Sequence, residues 1–146
     1  MKYQISKSLT NVQQPQADRT AAAIRILLGL LFVMTGLMKF VFPELRAAFS
    51  GQILAAAIPL HDLNMWLVPA MEIAIGALLL VGLFTQLATL VALGLMAVAT
   101  YVHLVVHDPT LFPLQPTQPT IPVIVIVLGL YLLWRARFNS ITNHLT

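Results

Sequence analysis

Apolar residues fall in four helix-length runs separated by polar or proline-rich breaks, and that pattern predicts an all-α protein whose helices cross a membrane. The first run covers residues 21–42 and is stopped by Pro43. The second covers residues 64–84, the third 87–106, and a tight turn at Thr85-Gln86 joins them as an antiparallel hairpin. The fourth, residues 121–134, would extend only about 21 Å as a helix, short of a hydrocarbon core about 30 Å thick. Arg135 and Arg137 can snorkel beyond its end and Tyr131 and Trp134 can anchor it at the interface, so it too reads as a span.

The breaks are as informative as the runs. Residues 44–63, ELRAAFSGQILAAAIPLHDL, are too interrupted by Gly51 and Pro59 to cross a bilayer. They read as a short interfacial helix near Leu45–Ala57 with Phe49, Ile53 and Leu54 towards lipid or the bundle mouth, or else as a packed extramembrane loop. Residues 107–122 carry five prolines, which predicts a semi-rigid extended connection. Residues 1–20 and 138–146 read as polar tails, the first flexible. No apolar core follows the first charges, so it does not resemble a signal peptide.

Four spans bring both termini to one side. Lys2, Lys7, Arg19, Arg135 and Arg137 fall on that side, and Lys39 and Arg46 on the other. The bias towards positive charge on the inner face then predicts cytoplasmic termini. Composition agrees: 59% of residues are hydrophobic and 9% charged, far from the roughly 25% charged of soluble domains. The net charge of +3 comes without a basic run interleaved with aromatics, which argues against a nucleic-acid partner and for the lipid bilayer. The chain has no cysteine, which excludes disulfide exchange, iron–sulfur clusters and thiolate metal sites.

The candidate chemistry lies in the few polar groups at membrane depth. Glu72 is the one charge in the second run, at a cost of roughly 2.5 kcal/mol or more if unpartnered at a helix centre. In the first run Arg25, Gly29, Phe32, Gly36 and Lys39 follow steps of four and three, and so share one helix face. The two glycines on it allow a neighbouring helix to approach closely. Depth along each helix brings Lys39 and Glu72 together in the outer half of the bundle, with His103 above, and places His61, His107 and Asp108 at the rim. Arg25 lies about 21 Å from Lys39 along the helix, near the inner end, where it can snorkel. Two readings of this cluster stand side by side: a functional polar pocket, or an ion pair that only fixes helix register. His103 and His107, one turn apart, can ligate one metal ion, although no third ligand is fixed by spacing. A b-type haem would need His61 as its second ligand.

Arg25 with Gly29, Gly36-Leu-Met-Lys39, Met71-Glu72 with Gly76, Gly82-Leu-Phe-Thr85 and His103, in that order over residues 21–107, resemble the DoxX family of small bacterial membrane proteins. The resemblance implies a four-helix membrane bundle with Arg25, Lys39, Glu72 and His103 as its polar positions. It also implies a link to quinone-dependent oxidation, terminal oxidase complexes or redox-stress defence. Three functions follow as expectations. The first is an accessory subunit that holds a quinone near Lys39, Glu72 and His103 while a membrane or peripheral redox partner supplies the electrons. The second is a non-catalytic assembly or small-ligand-binding subunit. The third is a metal or small-solute permease, which four short helices could form only as a homo-oligomer.

Overall fold

The computed structural model describes the backbone of residues 2–143 and the side chains of residues 19–137. Its elements are α1 (Lys2–Val41), α2 (Pro43–Ala55), α3 (His61–Val81), α4 (Thr85–Val105), a single 3-10 turn at Pro109–Leu111, and α5 (Thr120–Asn143). Among the described residues four stretches are long and apolar enough to cross a membrane: Arg19–Val41, His61–Val81, Thr85–Val105 and Thr120–Arg137. The protein is an all-α four-helix membrane bundle, with α2 as a short fifth helix between the first two spans.

Several boundaries differ from those the apolar pattern predicts. α1 is continuous back to Lys2 and α5 runs on to Asn143, so helical backbone continues into both segments read as tails. Good helix formers such as Gln, Ala, Leu and Arg flank both spans, and helix propensity does not end where hydrophobicity does. The second span starts at His61 and not at Asn64, because Leu60 in the left-handed region (φ 57°) breaks the chain just before it. The turn of the hairpin is Gly82-Leu83-Phe84, with Thr85 already in α4. Gly82 (φ 81°) takes the left-handed conformation that ends α3, and the amides of Gly82 and Leu83 both donate to the Leu78 carbonyl. The connection after α1 is the helical alternative of the two expected: Pro43 occupies the first turn of α2, where its missing N–H is harmless.

The four spans form a ring in the order α1, α3, α4, α5, closed by contacts between α5 and α1. Rising numbers on α1 meet falling numbers on α3, so these two helices are antiparallel; Gly29 faces Gly76 and Leu80, and Gly36 faces Pro69, Glu72 and Ile73. α4 and α5 form a second antiparallel pair, with Gly129 against Thr89 and Leu93. The ring's interior is filled by Leu28, Phe32, Ile75, Leu79, Ala88, Ala92, Val125 and Leu132. Large apolar side chains cover the outside, among them Leu27, Met34, Leu67, Leu90 and Val127, as a lipid solvent requires.

One end of the ring is covered. α2 lies across it and packs Ala56 against Val102, Val106 and Phe112. Gln52 donates to the Leu111 carbonyl and the Tyr101 hydroxyl to the Ala56 carbonyl at 3.3 Å, tying α2 to the 3-10 turn and to α4. Of the three α2 side chains expected at lipid or the bundle mouth, Ile53 is fully buried, Phe49 is half-buried and Leu54 is exposed. The opposite end carries the start of the first span, the end of the fourth and the Gly82–Phe84 turn.

Candidate functional site

The α1–α3 seam sets the geometry of the intramembrane polar groups. A Cβ on Gly76 would sit 2.6 Å from both the Gly29 oxygen and the Val33 amide nitrogen, and one on Gly36 would sit 2.7 Å from the Pro69 oxygen. Only glycine at these positions allows the two backbones to touch. That closeness brings Lys39, in the last turn of α1, level with Glu72 in the middle of α3.

Lys39 Nζ lies 2.6 Å from each Glu72 carboxylate oxygen, a forked charge-assisted pair. The Glu72 side chain is 6% exposed and that of Lys39 19%. The Phe49 ring of α2 lies with its centroid 4.7 Å from the ammonium, which adds a cation–π contact from the covering helix. Next to it Arg46 lies over the Trp66 ring at 4.3 Å, and Phe40 packs against the same ring at 5.8 Å. Of these rings Phe49 is the one in contact with the pair.

His103 is also buried, at 7% exposure, but its described partners lie elsewhere. Its Nδ1 is 2.8 Å from the Thr117 carbonyl oxygen and its ring stacks on Phe112 at 4.4 Å. Both belong to the proline-rich connection, so His103 ties that segment down over the covered end. His107, one turn on, is exposed. Among the described residues no three His, Asp or Glu side chains gather to hold a metal ion, so the structure adds no third ligand to the pair expected from spacing.

Arg25 sits at the other end of the seam, where α3 supplies acceptors for it. Its Nη1 donates to the carbonyls of Leu79 and Leu80, the latter at 3.2 Å. These are last-turn carbonyls of α3, which have no acceptor role inside the helix, and a cation there also meets the negative end of the helix dipole. Gly82 leaves room for it, since a Cβ at that position would fall 2.7 Å from Nη1.

Two groups assigned to the rim take on local structural work. Asp108 accepts from the Thr110 amide at 2.9 Å and from its hydroxyl at 2.7 Å, capping the 3-10 turn. Those bonds hold its carboxyl below the ordinary aspartate range. At the α2–α3 corner Ser50 Oγ lies 2.8 Å from His61 Nε2, and His61 Nδ1 lies 2.9 Å from Asp62. Hydroxyl, imidazole and carboxylate stand in series there, an arrangement the sequence reading did not find because Ser50 and His61 lie on different helices. Asp62 is fully exposed, so water competes for the imidazole and the series lacks the buried orienting acid of a catalytic triad.

The family model described as DoxX matches residues 20–108. The chain belongs to the DoxX family. The DoxX match takes in the whole α1–α3 seam, α2 and α4, and with them Arg25, Lys39, Glu72 and His103; α5 lies outside it. No curated protein and no solved structure matches the chain.

Proposed function

We propose that this DoxX protein is an accessory subunit of a quinone-linked membrane redox complex, with the Lys39–Glu72 pair as its quinone-facing group. The observation that carries the reading is the state of Lys39. Its ammonium has three donors, and the two carboxylate oxygens of Glu72 account for two of them. The third is the donor a quinone carbonyl would take, beside the Phe49 ring of the covering helix. With no cysteine in the chain, electrons come from a partner subunit or a peripheral enzyme. His103 enters this reading as the group that fixes the Thr117 segment over the same end.

A second reading has its own observation. Two cations of α1 are bound to acceptors on α3, Arg25 to carbonyls and Lys39 to Glu72, which is what a pure packing device would also show. Purification in mild detergent followed by extraction of bound lipids separates the two. The quinone reading expects about one quinone per chain, lost when Lys39→Met and Glu72→Gln are combined. A partner subunit that co-purifies without quinone, unaffected by the double change, would leave only the assembly role.

The proposed setting is the bacterial inner membrane with both termini in the cytoplasm, supported by Arg19, Arg135 and Arg137 at the terminal end. A phosphatase reporter fused after Thr146 should be inactive and a fluorescent one bright. The opposite pattern reverses the orientation.

A further inference from the structure

The terminal end of the bundle holds a feature that the Lys39–Glu72 site does not use. An open cleft of about 340 Å³ lies among α1, α4 and α5. Its walls include Ala21 and Arg25 of α1, Thr85 of α4, and Leu132, Arg135 and Ala136 of α5. A second cleft of about 490 Å³ shares Thr85, Leu132 and Ala136 with it and continues along Phe84, Leu87 and Leu133. Among the described residues two guanidinium groups line the first cleft, and no carboxylate is among its walls. The second is walled mostly by apolar side chains, of which Phe84 and Leu87 are exposed on the bundle surface.

We infer that this double cleft binds one anionic phospholipid, its headgroup phosphate between Arg25 and Arg135 and one acyl chain along Leu87 and Leu133. Arg25 is held in place for this by its Nη1 bonds to α3, which leave its Nε and Nη2 donors outside those bonds. A guanidinium fork matches the geometry of a phosphate, and basic pockets between transmembrane helices are suited to acidic headgroups. Arg135 stands at the end of the fourth span, Thr120–Arg137, where headgroups lie. Charge and shape agree: the arginines line one part of the double cleft, and the adjoining part along Phe84, Leu87, Leu132 and Leu133 is largely apolar. Such a lipid would bridge α1 and α5, the two helices whose contact closes the ring.

The test uses the full chain purified in a neutral detergent, delipidated and then titrated with phosphatidylglycerol, phosphatidylcholine or inorganic phosphate. Native mass spectrometry reads retained lipid and thermal unfolding reads stabilisation. Phosphatidylglycerol should be retained one per chain and raise the unfolding temperature, while phosphatidylcholine and inorganic phosphate do neither. Arg135→Gln should weaken retention about fivefold, the effect of about one basic residue at an anionic lipid surface, and Arg135→Lys should keep most of it. Equal retention of both lipids, or parent-like retention by Arg135→Gln, overturns the proposal. A shift produced by inorganic phosphate alone assigns the arginines to a free anion and overturns the lipid assignment. If Arg135→Gln does not fold, Ala136→Phe fills the cleft without changing charge, and undiminished retention in that variant is equally decisive against it.

Discussion

Replacing Glu72 with Gln is expected to lower the unfolding free energy by about 3–5 kcal/mol, the usual result of removing one partner from a buried ion pair. The amide keeps one acceptor oxygen near Lys39 but removes the charge that balances the ammonium, in a place where water cannot take over. The Lys39 side chain is 19% exposed and that of Glu72 6%, and the Phe49 ring lies against the ammonium. Adding Lys39→Met to Glu72→Gln removes the orphaned charge and should recover most of the loss, because a well-packed apolar pair often matches a buried salt bridge in stability. Denaturant unfolding of the purified variants in one detergent measures all three. A single variant within about 1 kcal/mol of the parent would mean that the pair is hydrated, as surface pairs are. The same double variant separates folding from quinone binding, since it restores the fold without restoring the donor.

Gly76→Ala should be the most damaging single methyl in the protein. The added Cβ meets the Gly29 oxygen and the Val33 nitrogen at 2.6 Å, and both are backbone atoms that no rotamer change can move. Ordinary carbon contacts lie at about 3.5–4.0 Å, so α1 and α3 must separate by about 1 Å. Overpacking of this kind costs about 1–3 kcal/mol by itself. Here it also lengthens the Lys39–Glu72 bonds on the same seam, so the loss should sit at or above the top of that range. Gly94→Ala is the control: a Cβ there meets nothing within 4 Å, and the change should stabilise α4 by about 0.5–1 kcal/mol. Equal behaviour of the two alanine variants in thermal unfolding would dismiss the close-packed seam.

The fold was largely legible because a membrane writes its demands into composition and length. Four apolar runs, the Pro43 stop and the glycine stripe each follow from a local rule. So does the meeting of Lys39 with Glu72, which needs only the 1.5 Å rise per residue and the topology. What the sequence did not disclose depends on the relative register of separate segments. Arg25 has acceptors because antiparallel packing sets the end of α3 beside it, and no pattern within α1 announces that. His103 was placed above the Lys39–Glu72 pair, yet its bond to Thr117 runs to a proline-rich stretch without periodicity to reveal its path. The Ser50–His61–Asp62 series needs the angle between α2 and α3, which is set by Ala57 and Leu60 in left-handed conformations that neither residue type favours.

The order of the helices along the chain also bears on how the protein enters the bilayer. An acidic residue at the centre of a span raises its insertion free energy by about 2.5–3.5 kcal/mol. For α3 that charge is met by Lys39, which lies in α1 and is therefore synthesised and inserted first. Glu72 can be neutralised as it leaves the translocon, before any of α4 has been made. α4 itself contains no Asp, Glu, Lys or Arg and can partition on hydrophobicity alone. A chain with α1 deleted would present Glu72 to lipid with no cation upstream of it in the bilayer, and α3 would then be the helix that stalls at the translocon.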